Sequence, residues 1–303
     1  MTGGHAHGAT GLRNRRRLLV ALLLGLVVLA AEVVGAWLTG SLALLADAGH
    51  VVTDVAGVAL ALAAVTYAQR PPTPTRTFGT LRAEVLAAAV NGLVLLGVAT
   101  YVVVEAIRRW NEEDAVDGGL MLVFGVIGLV ANALALAVLS RGARESLNVR
   151  GAYLEVLGDL LGSIAVIVAA VVIAVTGWDR ADVVASLAIA ALMVPRTLSL
   201  LRDVVHVLLE GTPRGVDLAE VRRHITEVEG VRDVHELHAW TITSGVPVLS
   251  AHVVVDDEVF ASGGTGPLLD RLTECLGGCF EVDHCTFQLE PAEHARHEDA
   301  DHA

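Results

Sequence analysis

The sequence contains no lysine, since all 21 of its basic residues are arginine. A P-loop needs a lysine to hold the phosphates of a nucleoside triphosphate, and a Schiff-base enzyme needs one as its nucleophile. Both classes of protein are therefore excluded. The HExxH pattern of zinc peptidases and the GxSxG pattern of serine hydrolases are missing as well. A formal net charge of −13 gives no support for nucleic-acid binding.

Hydrophobic residues, by contrast, make up 54% of the 303 residues. They form runs of about 20 residues, which as helices are long enough to cross about 30 Å of hydrocarbon. We therefore predict six membrane-spanning helices, over residues 18–39, 42–67, 84–107, 118–139, 152–176 and 181–201. The first run is too long for the apolar part of a signal peptide, so we expect it to remain as a span.

Arginines are distributed unequally between the predicted loops. Residues 13–17 carry four arginines, and the loops after the second and fourth runs carry three each. The loop after the third run instead reads NEEDAVD. Because basic loops stay in the cytoplasm, we expect a multi-pass protein of the cytoplasmic membrane with both termini on the cytoplasmic side.

The chain becomes polar after residue 209. We predict a cytoplasmic N-terminal tail, a six-helix transmembrane domain, a soluble cytoplasmic domain and a disordered tail that contains histidines, over residues 1–17, 18–208, 209–290 and 291–303 respectively. The overall class is then an α-helical membrane protein with a C-terminal α+β domain.

The soluble domain shows strand-like alternation in VPVLSAHVVV and HCTFQLE. We predict a helix, two strands, a second helix and a third strand, over residues 217–229, 231–243, 247–256, 266–277 and 283–290. A ferredoxin-like sheet with its helices on one face is the fold that we expect for this order.

Two of the predicted spans carry ionisable residues spaced one helical turn apart. Since residues three or four apart share a helix face, the second span presents Asp47, His50 and Asp54 on one stripe. The fifth span presents Glu155 and Asp159 in the same way. Such residues are costly in hydrocarbon, so they persist where they are paired or used. The His50/Asp54 and Glu155/Asp159 pairs, facing one another, would surround a dehydrated divalent metal ion with four ligands.

Interhelical hydrogen bonding is the alternative role for polar residues in these spans. Such hydrogen bonding is sufficient to explain Asn91 and Asn132, and it remains an alternative role for Glu32 and Asp47. Four ionisable groups in two matched pairs are not explained in this way, so we interpret the quartet as a metal site.

The chain resembles the cation diffusion facilitator family over about residues 18–290. The resemblance is carried by the segments GSLALLADAGHVVTD, FGTLRAEVLAAAVNG, LGDLLGS, HELHAWTITSGVPVLSAHVVV and HCTFQLE, in this order and spacing. It is to the zinc-type branch, whose HxxxD motif on the second span matches His50 and Asp54. This resemblance implies a homodimer of six-span protomers with ferredoxin-like cytoplasmic domains, which exports divalent metal from the cytoplasm in exchange for protons. It implies no prosthetic group and no enzymatic activity.

Glu155 departs from the zinc-type pattern, which carries a second histidine at this place. One nitrogen and three carboxylates form a harder and more negative ligand set, which should improve tolerance of manganese, iron(II) or cobalt. Zinc remains the expected cargo, with cadmium as a further candidate. When the metal leaves, the crowded carboxylates and His50 must take up protons, and this linkage gives metal/proton antiport.

The resemblance also implies metal binding in the cytoplasmic domain, at His238, His252 and His284 with Glu290 as a partner. Simple packing or solvation is the alternative for each of these strand histidines. A fourth histidine, His235, lies on or near the same strands.

Three further residues are expected to support the transport motion: Asp47 beside the quartet, and Arg82 and Glu84 at the cytoplasmic start of the third span. Anchoring at the membrane interface is the alternative for the arginine.

Three cysteines lie close together, at Cys275, Cys279 and Cys285. Their odd number on the cytoplasmic side argues against a disulfide framework. They are either buried as small apolar side chains or ligands of a soft metal.

Two rival functions stay open at this point. A passive channel for divalent metal would prefer a row of weaker sites, because a dehydrated four-ligand site holds its ion too tightly for fast flow. A membrane enzyme with a catalytic metal would keep an open coordination position beside a general base, a role that Asp47 could fill.

Overall fold

The computed structural model describes residues 6–68, 73–111, 115–140, 147–243, 245–280 and 284–295. Two compact units make up the chain. The first comprises Met1–Ala63 and Ala87–Leu201, and the second comprises Ala64–Leu86 and Arg202–Ala303.

Six long helices lie where the six apolar runs were predicted. They are α1 (Ala6–Thr39), α2 (Leu42–Ala68), α3 (Ala83–Arg109), α4 (Gly118–Ser140), α5 (Leu147–Thr176) and α6 (Arg180–Leu208). Five of them, all except α2, are long and apolar enough to cross a membrane. The side chains of residues 57–68 in α2 lie outside the described residues. Within the described residues, the helical unit therefore has five candidate spans. Helix α1 also begins within the segment that we predicted as a tail.

The helices of the first unit pack around an apolar core at the end where α1 passes into α2. Helix α4 packs along both α1 and α5. Leu42 and Leu44 at the start of α2 are fully buried there, together with Met121 of α4 and Val166 of α5. These side chains from α2, α4 and α5 belong to one core, so the start of α2 is buried in the helical unit.

Asp182, in the first turn of α6, fixes the N-terminus of α2. Its carboxylate accepts hydrogen bonds from the backbone N–H groups of Leu42 and Ala43 at 2.6 and 3.1 Å, and from the Ser41 hydroxyl at 2.5 Å. The first N–H groups of a helix have no partner within the helix, and a carboxylate there also meets the positive end of the helix dipole. A side chain from a distant part of the sequence thus caps the helix that carries His50 and Asp54.

We expect Asp182→Ala to lower the free energy of unfolding by roughly 2–4 kcal/mol, because three buried donors lose a charged acceptor. Thermal unfolding of the purified protein in detergent measures this loss. Asp182→Asn keeps one acceptor oxygen and should lie between the alanine variant and the wild type. Unfolding of the alanine variant at the wild-type temperature would contradict this role.

The second unit contains a three-stranded sheet. Its elements are α7 (Leu218–Thr226), β1 (Val231–Thr243), β2 (Val246–Val255), α8 (Asp257–Ala261), α9 (Thr265–Phe280), β3 (His284–Pro291) and α10 (Ala292–Ala295). The strand order is β1-β2-β3, with β1 and β2 antiparallel and β2 and β3 parallel. The three predicted strands and two predicted helices are confirmed.

Two short helices were not predicted, because a helix of one turn shows no periodicity. One of them, α10, lies in the segment that we expected to be disordered, so ordered structure continues through Ala295. Residues 296–303 lie outside the described residues. Helix α7 begins after Asp217, whose side chain accepts a hydrogen bond from the N–H of Ala219 at 2.9 Å.

One face of the sheet is covered by α7 and α9. Leu268, Leu272 and Leu276 recur every four residues along α9 and are fully buried. They pack against the alternate residues Val253 and Val255 of β2. The residues between these in sequence therefore belong to the opposite face of the sheet, which carries His252.

The cysteines do not form a cluster of ligands among the described residues. Cys285 on β3 packs against the apolar core of the second unit, as a small apolar side chain does. Cys275 is half-buried on α9. The side chain of Cys279 lies outside the described residues.

Candidate metal centre

Three of the four residues predicted as intramembrane ligands lie together between α2 and α5. One ligand atom from each of His50, Asp54 and Asp159 falls within 4.8 Å of the others. His50 Nε2 lies 3.7 Å from Asp54 Oδ2 and 3.5 Å from Asp159 Oδ1. Helical spacing puts His50 and Asp54 one turn apart on α2, and the packing of the unit brings Asp159 of α5 opposite them.

Polar atoms of this cluster are buried and lack partners. His50 Nδ1, Asp54 Oδ2 and Asp159 Oδ1 have no hydrogen-bond partner among the described residues. Buried polar atoms in proteins are almost always hydrogen-bonded, because an unpaired one loses its hydration without compensation. A nitrogen and two carboxylates converging in this way are suited to bind a divalent cation such as zinc.

Glu155, the fourth predicted ligand, is paired with an arginine of α6. Its Oε1 accepts a hydrogen bond from Arg196 Nη2 at 2.9 Å, and it is not part of the three-residue cluster. Arg196 lies on α6, one residue after Pro195. Our sequence analysis missed this arginine, although an ionisable residue inside the sixth apolar run was a usable signal.

A cavity of about 200 Å³ opens beside the cluster. Its polar lining comes from Asp47, His50 and Arg196, and its remaining wall is formed by small and apolar residues of α5 and α6. The imidazole of the candidate metal centre therefore borders a space that has an acidic side chain and a guanidinium on its walls.

Asp47 occupies a tightly fitted position next to the cavity. It is 2% exposed, and a Cβ atom built on Gly162 of α5 would lie 2.5 Å from its Oδ1. Only glycine at position 162 leaves room for this carboxylate. Glu32 of α1 is equally buried, and both acids have one oxygen without a hydrogen-bond partner among the described residues.

Asn132 makes the interhelical hydrogen bond predicted for it. Its Nδ2 donates to the Oγ of Ser163 at 3.3 Å, which joins α4 to α5 one residue beyond Gly162.

We expect Gly162→Ala to lower the free energy of unfolding by about 1–3 kcal/mol, because the new methyl group displaces Asp47. Gly158→Ala is the matched control, because its Cβ would meet no atom of the described residues within 4 Å. Thermal unfolding of the two variants checks this. Equal effects of the two substitutions would refute the close approach of the Asp47 carboxylate to Gly162.

Arg82 and Glu84, which were predicted to support the transport motion, have partners within the second unit. Arg82 Nη2 lies 2.8 Å from Glu210 Oε1. Glu84 Oε2 accepts a hydrogen bond from the hydroxyl of Thr243 at 2.6 Å. The first contact joins Arg82, just before α3, to Glu210, just after α6, and the second joins the first turn of α3 to the end of β1.

A second group of ligand-type side chains lies on the face of the sheet opposite α7 and α9. It consists of His235, His252 and Glu290, whose ligand atoms fall within 4.8 Å of one another. His235 and His252 are directly paired across β1 and β2, and His235 Nε2 forms an ion pair with Glu290 Oε1. Glu290 is 1% exposed.

The structure thus groups two of the four predicted cytoplasmic ligands with His235. The other two, His238 and His284, share the face but lie farther along it, since they pair with Ser250 and Val248 of β2. His238 Nε2 is 3.0 Å from Glu236 Oε2, and the His284 ring stands edge-on to Phe78 at 6.4 Å between centroids.

The pairing of β1 with β2 is irregular between His235 and His238. Within this stretch, Glu236 adopts a left-handed backbone with φ of 48°. Such a bulge changes which side chains share a face of the sheet. Simple alternation along the sequence therefore does not identify the residues next to His252.

Comparison with known proteins gives two family matches. Residues 18–209 match the family described as the cation efflux transmembrane domain. Residues 213–292 match the family described as the cytoplasmic domain of cation efflux proteins.

Individual relatives cover nearly the whole chain. The metal cation efflux system protein CzcD of Cupriavidus metallidurans is 44% identical over 97% of this chain and 93% of its own length. The zinc transporter ZitB of Escherichia coli is 42% identical over 96% of this chain and 93% of its own. A cadmium, cobalt and zinc/H(+)-K(+) antiporter of Bacillus subtilis is 38% identical over the same shares.

Proposed function

This chain belongs to the cation efflux family, the cation diffusion facilitators that its motifs resemble, and we propose that it exports divalent transition metal ions from the cytoplasm in exchange for protons. Zinc is the main cargo, with cadmium and cobalt next and with iron(II) and manganese as further candidates. The observation that carries the proposal is the buried cluster of His50, Asp54 and Asp159, whose polar atoms lack partners among the described residues. The names of the relatives support zinc, cadmium and cobalt.

The cargo is held between α2 and α5. His50, Asp54 and Asp159 supply three ligands, and Glu155 supplies the fourth from one turn before Asp159 on α5. Four nitrogen and oxygen ligands fit the tetrahedral preference of zinc. Because the two helices contribute separately, a change in their spacing opens the site and releases the ion.

Proton exchange follows from the same side chains. Metal binding needs deprotonated carboxylates and a neutral imidazole, so binding releases protons and proton uptake favours release of the metal. A proton gradient across the membrane then drives the metal outward when the site faces one side at a time. The name of the Bacillus relative adds K⁺ as an exchanged ion.

The proposal also covers the number of spans, the orientation of the chain and the role of the second unit. Helix α2 is the sixth span, since it begins in the core of the helical unit and carries two of the ligands. Both termini lie in the cytoplasm, and the second unit is a ferredoxin-like domain through which two copies form a homodimer. The cluster of His235, His252 and Glu290 binds a further metal ion that regulates this domain.

An imposed pH gradient tests the exchange directly. In proteoliposomes, we expect zinc flux to reverse when the pH gradient is reversed at constant zinc, and to fall to the protein-free level when an ionophore collapses the gradient at equal zinc on both sides. Flux that follows only the zinc gradient would indicate a passive channel and would refute the exchanger. Repeating the assay with cadmium, cobalt, iron(II) and manganese ranks the cargoes.

A further inference from the structure

Among the described residues, Arg196 is the one positively charged side chain next to the candidate metal centre. It lies on α6, lines the same cavity as His50, and pairs with Glu155 at 2.9 Å. An arginine within an apolar membrane helix is costly unless it is paired or used. A permanent positive charge beside a site that attracts a metal cation needs a further physical reason.

Charge balance gives a reason. The carboxylates of Asp54, Glu155 and Asp159 with a neutral His50 carry a formal charge of −3, which a divalent ion reduces to −1. The guanidinium of Arg196 brings the loaded site to zero. A second neutral imidazole at position 155 would reach zero with no arginine. A net charge is costly where water is excluded, so a loaded site that moves between the two sides of a membrane favours neutrality.

A carboxylate has two oxygens, so Glu155 can in principle serve both partners. Arg196 holds Oε1, which leaves Oε2 of the same carboxylate to bind a metal. Ligating carboxylates are commonly oriented by a hydrogen bond to their second oxygen, and loss of such a partner typically lowers metal affinity 10–100-fold. Pro195 lies next to Arg196, and a proline inside a helix removes a backbone hydrogen bond and permits bending at that point.

We infer that Arg196 is a positioning residue for transport, a fixed counter-charge that allows a carboxylate at position 155 to act as the fourth ligand. The inference rests on the proposed function and deepens it, since it assigns the residue that balances the charge of the loaded site. Arg196 acts through Glu155 and does not itself touch the cargo.

The inference predicts that two substitutions change the net charge of the loaded site in opposite directions. Arg196→Gln leaves the loaded site with one negative charge in excess, and Glu155→His leaves it with one positive charge in excess. Each alone should lower zinc affinity and transport by roughly 10–100-fold, the size of loss that typically follows when a group supporting the ligands of a metal site is removed. Combining them restores neutrality, so the double variant should recover to within a few-fold of the wild type.

The experiment measures zinc affinity of the full-length protein in detergent and zinc transport in proteoliposomes, for the wild type, both single variants and the double variant. Arg196→Lys is the conservative control, which keeps the charge and should retain more activity than Arg196→Gln. Thermal unfolding of each variant verifies folding. A purely structural role of the ion pair predicts that the double variant is at least as impaired as the worse single variant.

The outcomes separate this inference from the proposed function. Absence of zinc transport by the wild type would overturn the proposed function, and the inference with it. If the wild type transports zinc, two results would overturn the role of Arg196 alone. One is an unimpaired Arg196→Gln variant. The other is a double variant in which the losses of the two single variants simply multiply. Recovery in the double variant supports the charge balance.

Discussion

Asp54→Ala and Asp159→Ala should each abolish zinc transport into sealed proteoliposomes, to the level of vesicles without protein. Each substitution removes an anionic ligand from a buried group in which His50 lies 3.7 and 3.5 Å from the two carboxylates. Removal of one partner from a buried charged group typically costs about 3–5 kcal/mol, which corresponds to roughly 100-fold or more in binding. Initial rates of zinc uptake, measured with a fluorescent indicator inside the vesicles, report the loss.

The control for this prediction is Asp270→Ala, which removes an exposed acid from α9 in the second unit. It should transport zinc at the wild-type rate. Circular dichroism and thermal unfolding establish that the two inactive variants are folded. Transport within a few-fold of the wild type by either variant would contradict the proposed ligand set.

Zinc binding by the cytoplasmic cluster should depend on His235 and not on His284. We expect His235→Ala and His252→Ala each to remove one bound zinc ion per chain, because either substitution leaves only two of the three converging ligands. The loss of affinity should exceed the roughly 10–100-fold that loss of a supporting residue alone costs. Equilibrium dialysis of the full-length protein, in an Asp54→Ala background that removes the intramembrane site, measures the bound zinc.

His284→Ala is the matched control, since His284 lies on the same face of the sheet but pairs with Val248, away from the cluster. It should bind as much zinc as the Asp54→Ala parent. The opposite result would be that His284→Ala loses the bound zinc while His235→Ala retains it. This result would show that the family resemblance, and not the observed cluster, identifies the zinc ligands.

The membrane part of the fold was largely predictable because its signals are local. A run of apolar residues fixes the length of a helix, and 3.6 residues per turn fix which side chains share a face. His50 and Asp54 could therefore be assigned to one face of α2 from spacing alone. The facing of α2 and α5 was a hypothesis, and the structure does place Asp159 opposite His50.

What could not be predicted depends on contacts between distant parts of the chain. The pairing of Glu155 with Arg196 joins α5 to α6 over 41 positions of sequence, and no periodicity within either helix reveals it. The capping of α2 by Asp182 is of the same kind, over 140 positions for Leu42. In the soluble domain, the bulge at Glu236 overrides strand alternation and brings His235 to the cluster.

X-ray absorption spectroscopy of bound zinc tests most directly whether α2 and α5 jointly hold one ion that has shed its water. The sample is the full-length His235→Ala variant, in which the cytoplasmic cluster is incomplete. The account predicts one zinc ion per chain with four nitrogen and oxygen ligands at about 2.0–2.2 Å, lost when Asp54 or Asp159 is changed to Asn. A six-coordinate, water-rich zinc, or the same spectrum in the Asn variants, would contradict it.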